Sequence, residues 1–384
     1  MSAPARLRVV HVITGLGYGG AERMLERLLG ALDPREFESA VWSLGGVGPI
    51  GARLAAQGIP VHALGLDPRL PSPLKVLRLA RWMRAWRPAL VQTWMYHADL
   101  VGGIAALLAG RVPTVWNLRQ STLERGRTRG TTLAVARACA LLSNVLPARI
   151  VSCSETAAEV HRAFGYAAAR LECIPNGFDL EHFRPAAGAR AALRAELGLD
   201  PDAPLVGMVA RCDPQKDHRG FLAAARLLTA VRPEVRYVLC GEGMTPQNTL
   251  LAGWIAEAGL DTRCHLLGAR EDVPAITAAL DVATSSANYG EGFPNVLGEA
   301  MACGVPVVAT RVGDAALLVG DRGRLVEPDD PRALAAAWAE VLALPAAERR
   351  QAGLAGRERI AERYGMTAIA ARYAALYRAL ARPL

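Results

Sequence analysis

The sequence has no long apolar run, and lysine is scarce among its 44 basic residues. No stretch reaches the roughly 18 consecutive apolar residues that a transmembrane helix needs. The opening does not resemble a secretory signal, because the apolar run Arg8–Ile13 is short and enters a glycine-rich turn, which is typical of a buried first strand. We therefore expect a soluble cytoplasmic protein.

Paired cysteines and metal-ligand clusters are also missing. The seven cysteines are scattered, none forms a Cys-x-x-Cys pair, and no group of His and Cys has the spacing of a zinc site. These absences argue against a disulfide framework and a structural zinc centre. They favour small buried thiols in a reducing compartment.

Basic charge is concentrated in one part of the chain. The formal net charge is +8, yet Arg69–Arg149 alone contains thirteen basic residues and only two acidic ones, Asp99 and Glu124. Within this region a helix is predicted over Pro73–Pro88, with apolar side chains on one side and basic ones around the rest. Such a helix can dock on anionic lipid, or it can pack its apolar side on a sheet.

The length of 384 residues suits two domains. Strand-like apolar runs alternate with helix-like segments, which is typical of parallel sheets covered by helices. Proline and glycine interrupt the pattern near Cys173–Pro185, and a second series begins at Leu205. We predict an α/β fold with two Rossmann-like domains, 1–175 and 176–365, and a terminal helix in 366–384 that packs back on the first domain.

A glycine-rich loop, Gly15–Gly20, follows the first predicted strand and fits the pattern G-x-G-x-x-G. Glycines let a backbone approach a phosphate, and the following helix start supplies N–H donors. A dinucleotide enzyme also needs an acid about 20 residues further on. The second strand ends instead in Ser43–Gly45. The sequence therefore disfavours NAD, and it leaves open a structural turn or a turn that faces a phosphate or an acceptor.

Two glutamates bracket a predicted helix start in the second half. Glu291 lies in the loop after the predicted strand Val282–Ser285, and Glu299 lies about one turn into the next helix, for which Asn295 is the expected N-cap. Open α/β sheets bind ligands at this end of their strands, and carboxylates there can accept hydrogen bonds from sugar and ribose hydroxyls. Equally, Glu299 could complement the helix dipole while Glu291 is simply exposed.

Two cations follow the first strand of the second domain. Arg211 and Lys216 stand in the run Arg211–His218, directly after an apolar strand. Separately they would be ordinary surface charges. Together with the two glutamates they predict one pocket in which positive charge can neutralise a leaving diphosphate.

With these residues the chain resembles the family 4 retaining glycosyltransferases, which have the GT-B fold with two sheets facing across a cleft. Glu291 and Glu299 stand in the family's Glu-x7-Glu arrangement, and Arg211 and Lys216 match its phosphate-binding pair. The opening His11–Arg23 resembles the first loop of members that assemble polysaccharides. The resemblance implies a nucleotide-sugar that is a substrate and no cofactor, with transfer that needs no metal.

The resemblance also implies roles for individual residues. Glu291 would contact the donor sugar, Glu299 the ribose, and Arg211 with Lys216 the diphosphate. The residues implied in donor binding are Gly19, Gly20, Arg211, Lys216, Gly241, Arg270, Val273, Glu291, Gly292, Phe293, Pro294, Asn295, Val296, Leu297 and Glu299.

The first domain departs from the family pattern. Asn117 stands where many members have a histidine that points at the reacting sugar, and of a further histidine cluster only His97 remains. Asn117 can hydrogen-bond a sugar hydroxyl but cannot act as an acid or base. Both residues are candidates for the catalytic site, and a structural role for His97 fits its position as well.

These features predict a retaining glycosyltransferase that moves a sugar from a UDP-sugar, or secondly a GDP-sugar, to a glycan or lipid-linked acceptor in cell-surface polysaccharide or lipopolysaccharide assembly. Arg69–Arg149 would hold it on the inner face of the plasma membrane. The alternatives are a nucleotide-sugar epimerase of the same fold and a non-catalytic nucleotide-sugar-binding protein. No nucleic-acid recognition module is apparent, and we expect no nucleic-acid partner.

Overall fold

Buried strands alternate with helices to form two separate parallel sheets, as the alternating pattern of the sequence predicts. A computed structural model describes residues 6–65, 73–124, 126 and 128–381. One unit comprises Met1–Gly177 and Met366–Leu384, and the other comprises Phe178–Gly365. The predicted α/β fold of two Rossmann-like domains is confirmed.

The described residues of the first unit up to Gly177 form a seven-stranded parallel sheet with helices between the strands. The strands are β1 (Leu7–Ile13), β2 (Phe37–Ser43), β3 (Val61–Ala63), β4 (Leu90–Trp94), β5 (Thr114–Leu118), β6 (Arg149–Ser152) and β7 (Leu171–Cys173). The helices are α1 (Gly20–Ala31), α2 (Gly48–Ala56), α3 (Pro73–Trp86), α4 (Tyr96–Leu108), α5 (Gly130–Leu142) and α6 (Glu155–Phe164). The strand order β3-β2-β1-β4-β5-β6-β7 reverses between β1 and β4.

The second unit repeats this plan with six parallel strands. Its strands are β8 (Leu205–Val209), β9 (Arg236–Cys240), β10 (Cys264–Leu266), β11 (Val282–Ser285), β12 (Val307–Thr310) and β13 (Arg324–Val326). Its helices are α7 (Ala189–Glu196), α8 (His218–Val231), α9 (Thr249–Glu257), α10 (Val273–Ala278), α11 (Asn295–Ala302), α12 (Ala315–Val319), α13 (Pro331–Ala343) and α14 (Ala346–Tyr364). The strand order β10-β9-β8-β11-β12-β13 reverses between β8 and β11.

The last helix, α15 (Met366–Leu380), belongs to the first unit. It buries Ile369, Tyr373 and Tyr377 in the same hydrophobic cluster as side chains of β1 and α1. Gly177 lies so close to this helix that a Cβ atom there would be 2.6 Å from the sulfur of Met366. Apolar residues at helical spacing therefore attach the end of the chain to the unit in which it begins.

Helix α3 uses its apolar side for packing. Leu79 and Met83 are buried, and Trp82 and Trp86 pack against the same cluster beneath β1 and β4. The apolar stripe is therefore covered, as expected if the helix packs on the sheet. Arg69, Arg125 and Arg127 of the basic region lie outside the described residues. Within the described ranges, no helix combines the length and apolarity that crossing a membrane requires.

Candidate active site

The carboxyl ends of β8 and β11 mark the place in the second unit where a ligand is expected. The two strands are neighbours, and the strand order runs outward from them in opposite directions. At such a switch point the loops diverge and leave a crevice outside the carboxyl ends of the strands. The loop after β8 carries Lys216, and the loop after β11 carries Glu291.

Lys216 and Glu291 meet at this switch point. The ammonium group of Lys216 forms an ion pair with the Glu291 carboxylate, and the two side chains are only 19% and 11% exposed. Lys216 ends a short 3-10 turn that Asp213 caps, since its Oδ1 accepts a hydrogen bond of 3.0 Å from the Gln215 N–H. Ser286 donates to the Lys216 carbonyl at 2.9 Å. The two charges are therefore sheltered from water and fixed by both loops.

The loop after β12 packs against the backbone of Glu291 and Gly292. Gly313 has a φ of 58°, and a Cβ atom there would lie 2.1 Å from the Glu291 carbonyl oxygen. The neighbouring Asp314 N–H donates to the Gly292 carbonyl at 2.9 Å. Only glycine allows this close approach in the left-handed conformation. Sequence reasoning missed Gly313, because a glycine after a strand signals no more than a turn.

Helix α11 begins beside Glu291 and carries Glu299 inward. Glu299 is only 8% exposed, and Phe293 stacks on Phe178 with ring centroids 6.0 Å apart. Pro294, with φ −76° and ψ 89°, occupies the N-cap position, so the expectation that Asn295 caps this helix is wrong. Asn295 is instead the first helical residue, because Pro294 already has the extended ψ that an N-cap requires.

The remaining predicted donor residues in and just before α11 differ in burial. Val296 and Gly292 are half-buried, whereas Pro294 is buried and the Leu297 side chain lies in the core. Leu297 can thus meet a ligand only through its backbone.

Two predicted cations have partners elsewhere. Arg211 is 62% exposed on its side chain and pairs with Asp213 at 3.2 Å. Arg270 pairs with Glu196 at 2.6 Å and with Asp272 at 2.8 Å, and these carboxylates raise the pKa of its guanidinium. The structure therefore brings Lys216 and Glu291 together, whereas it directs the charges of Arg211 and Arg270 to acids beside them.

The loop after β9 packs directly on the loop after β8. Gly241 has a φ of 144°, and a Cβ atom there would lie 2.1 Å from the Ala210 carbonyl oxygen. Its N–H donates to the Gly268 carbonyl at 2.8 Å. Gly241 is thus a backbone support of the crevice, while Val273 is the half-buried first residue of α10.

In the first unit, the glycine loop lies at the carboxyl end of β1. Gly19 is the N-cap of α1 and Gly20 its first residue. A Cβ atom on Gly19 would be 2.2 Å from Glu22 Oε2, so a carboxyl group covers the start of this helix. Burial raises the pKa of Glu22. An acid therefore already occupies the helix start where the sequence suggested a phosphate.

The structure places the side chain of Asn117, a predicted site residue, away from solvent. Its side chain is fully buried in β5, and Nδ2 donates to the Tyr373 hydroxyl of α15 at 3.1 Å. Because α15 covers this strand end, Asn117 has no exposed surface to offer a sugar. His97, the second residue of α4, is half-buried, and burial lowers its pKa.

The covering of Asn117 belongs to a buried polar layer that sequence reasoning missed. Tyr377 donates to Gln92 Oε1, and Trp94 Nε1 donates to His11 Nδ1 at 3.4 Å. Burial lowers the pKa of His11 to about 3, so this histidine is neutral. The sequence offered one signal for this layer, the two tyrosines at helical spacing in the last helix. The same spacing is equally typical of an ordinary apolar stripe that packs in a core.

Two family descriptions match this chain. "Glycosyltransferase Family 4" matches residues 18–182, and "Glycosyl transferases group 1" matches residues 203–343. Together they cover most of both units. The second match includes both strands of the switch point and the loops that carry Lys216 and Glu291.

Curated relatives and a solved structure agree with these matches. D-inositol 3-phosphate glycosyltransferase of Segniliparus rotundus is 32% identical over 365 residues, 85% of this chain and 76% of the relative. The protein of that name from Thermobispora bispora is 37% identical over 220 residues, which is 54% of this chain and 50% of the relative. This chain thus spans only half the length of the latter. Anabaena HepE, solved in complex with UDP, superposes with a TM-score of 0.85 at 25% identity over 97% of this chain and 100% of that one.

Proposed function

Because this chain belongs to the family 4 glycosyltransferases of GT-B fold, we propose that it transfers a sugar from a nucleoside-diphosphate donor, with a UDP-sugar as first choice and a GDP-sugar as second. The UDP complex of HepE supports the choice of base. The observation that carries the proposal is the half-buried Lys216–Glu291 pair at the switch point of the second sheet.

The pair suggests how each residue acts. When the donor binds, its diphosphate pairs with the ammonium group of Lys216. The Glu291 carboxylate then accepts hydrogen bonds from hydroxyls of the donor sugar. As the bond between the anomeric carbon and the phosphate oxygen breaks, negative charge grows on the leaving diphosphate, and the fixed cation stabilises it. Glu299, on the next helix, accepts from the ribose hydroxyls.

We propose transfer with retention and without a metal. The acceptor hydroxyl attacks the anomeric carbon from the side that the diphosphate leaves, and its proton passes to the departing phosphate oxygen. No protein base is required at Asn117 in this scheme. Activity that persists in excess chelator, with an unchanged anomeric configuration in the product, is the expected result.

For the acceptor we propose a glycan or a lipid-linked molecule. A glycan or lipid-linked acceptor in cell-surface polysaccharide or lipopolysaccharide assembly fits the resemblance, and the name of the relatives adds D-inositol 3-phosphate. Exposed arginines of α3, among them Arg78, Arg81 and Arg84, support a cytoplasmic location with peripheral binding to anionic lipid.

The experiment is thermal unfolding with UDP, GDP, ADP or NAD, followed by product analysis with the stabilising nucleotide's sugars. A ligand that binds only the folded state raises the unfolding temperature. We expect UDP or GDP to do so in the wild type and in Glu358→Ala, an exposed control on α14, and to do so less in Glu299→Ala. Stabilisation by NAD alone would overturn the proposal. An epimerised sugar without transfer, or binding without turnover, would favour the alternatives.

A further inference from the structure

Arg119 lies at the ligand-binding edge of the first sheet. It directly follows β5, whose carboxyl end it extends, and its side chain is half-buried. In open parallel sheets this edge binds the ligand. Arg119 lies two residues after Asn117, a predicted site residue. The two side chains differ, because Asn117 is fully buried and Arg119 keeps an exposed part.

The guanidinium of Arg119 is held by uncharged groups. Its Cζ lies 4.7 Å from the centre of the Trp94 ring, and Nη2 donates to the Tyr373 hydroxyl at 2.9 Å. Nη1 donates to Asn176 Oδ1. Three elements of one unit thus fix the plane of the guanidinium: β4, α15 and the segment before residue 178.

The positive charge of Arg119 lacks a counter-charge. Among the described residues, no carboxylate lies within the 4.0 Å of an ion pair with it, and its Nε is buried without a hydrogen-bond partner. A half-buried charge with an unsatisfied donor is costly unless something offsets it.

We propose that Arg119 binds a phosphate group of the acceptor. Nη1 and Nη2 each have a second N–H beyond the one donated to Asn176 or Tyr373, so this fixed cation can still donate to phosphate oxygens. The phosphate can belong to a soluble sugar or polyol phosphate or to a lipid headgroup. This inference rests on the proposed function, because the phosphate is placed on the molecule that receives the sugar.

A purely structural role makes a different prediction. If Arg119 only ties α15 to the sheet, its loss weakens folding and lowers turnover equally for all acceptors. If it binds phosphate, its loss raises KM for phosphorylated acceptors and leaves neutral ones unaffected. The readout is therefore the ratio of kcat/KM between matched acceptors, which a general loss of stability does not change.

The experiment uses the full chain with two pairs of acceptors, D-inositol 3-phosphate against myo-inositol and glucose 6-phosphate against glucose. We expect the wild type to prefer the phosphorylated member of at least one pair. Arg119→Gln should lower that preference roughly 10- to 100-fold, the value of one charge-assisted pair of hydrogen bonds. Arg119→Lys should restore part of it.

The matched control is Arg162→Gln. Arg162 is an exposed arginine near the end of α6 in the same unit, and it lies outside the basic region Arg69–Arg149. It should leave the preference unchanged. Vesicles of phosphatidylcholine with and without phosphatidylinositol distinguish a lipid headgroup from a soluble phosphate. If sugar is transferred to the lipid but not to the soluble phosphates, and this transfer requires Arg119, the phosphate is that of the headgroup.

Two outcomes would overturn the inference. One is a wild-type enzyme that uses the neutral and the phosphorylated member of each acceptor pair equally well. This outcome is measured on the wild type alone and does not depend on whether a variant folds. The other is an Arg119→Gln variant with an unaltered preference. Absence of transfer to every acceptor would instead contradict the proposed function, so the two failures can be told apart.

Discussion

The two sheets have the same strand order around their switch points, but different chemistry lies at their carboxyl ends. In the second unit, the edge carries an opposite pair of charges, Lys216 and Glu291, which are sheltered but still partly exposed. In the first unit, the equivalent edge holds neutral polar groups such as His11 and Asn117, which are completely buried under α15. The same topology thus provides an open charged site in one unit and a closed neutral layer in the other.

This difference teaches that strand order indicates where a ligand can bind, and side chains decide whether one does. A pattern search treats both edges alike, since each follows an apolar strand with a polar loop. Only burial separates them. The comparison also explains why Arg119 stands out, because it is a charge that stays partly exposed at an otherwise neutral edge.

The largest expected effect comes from removing the cation at the charged site of the second unit. Lys216→Ala should lower turnover roughly 100- to 1,000-fold, because a fixed charge no longer stabilises the leaving diphosphate. The sequence offers a matched control, since Lys75 on α3 is its only other lysine. Lys75→Ala should leave turnover unchanged. The measurement is kcat with a UDP-sugar, alongside circular dichroism to verify folding.

Equal activity in the two lysine variants would contradict the proposed role. A drop that accompanies lost ellipticity would attribute the effect to folding. Glu291→Gln then serves as the second variant, because it removes the ion pair while it leaves the lysine in place.

A smaller effect should come from the glycine that supports Glu291. Gly313→Ala adds a methyl group 2.1 Å from the Glu291 carbonyl, so the loop must shift, and we expect turnover to fall roughly 10- to 100-fold. Gly259 has a similar φ of 68°, but a Cβ atom there would have no neighbour within 4 Å, so Gly259→Ala tests the left-handed conformation alone. That control should cost about 1 kcal/mol of stability and no turnover.

Stability of both alanine variants is measured by urea unfolding, and turnover at saturating donor. If Gly259→Ala and Gly313→Ala reduce turnover alike, backbone strain explains the loss. The support of Glu291 by the β12 loop would then be refuted.

The sequence was sufficient for the fold, and the reason is physical. Apolar runs of strand length alternate with helical periodicity throughout, and this pattern admits few packings other than helices on parallel sheets. The stripe of α15 likewise predicted a packed helix, and Ile369 and Tyr373 are buried in the first unit's core. The N-cap of α11 shows the limit of such reasoning, because helix ends depend on local backbone angles that Pro294 and Asn295 can both supply.

The site was predictable only in part. Lys216 and Glu291 were both predicted, first from their places after apolar strands and then from the family motif. They stand 75 positions apart, however, and the sequence did not predict that the two charges pair with each other. The burial of Asn117 was not predictable from nearby sequence, because the residue that covers it, Tyr373 of α15, is 256 positions away. Gly313 and Tyr373 escaped notice because turn glycines and core tyrosines have no signature of function.

The smallest expected effect concerns two buried aspartates, which extend the comparison to the interiors of the units. Asp281 of the second unit is paired with cations, accepting from Arg194 at 2.8 Å and Arg190 at 2.5 Å. Asp99 of the first unit is fully buried and accepts from Thr93 Oγ1 at 2.5 Å, but its Oδ2 has no partner among the described residues. Burial therefore raises the pKa of Asp99 well above its usual range.

The raised pKa determines the sign of a pH effect. The native state keeps the Asp99 proton above about pH 4, where the unfolded chain has lost it, so this group lowers stability as pH rises through that value toward the native pKa. Asp99→Asn cannot titrate and escapes this loss. Relative to wild type, the variant should gain stability progressively as the pH rises from about 4 toward neutral, measured by urea unfolding. Asp261→Asn, an exposed control, should show no such change, and a pH-independent difference for Asp99→Asn would mean that the carboxyl is ionised in the native state.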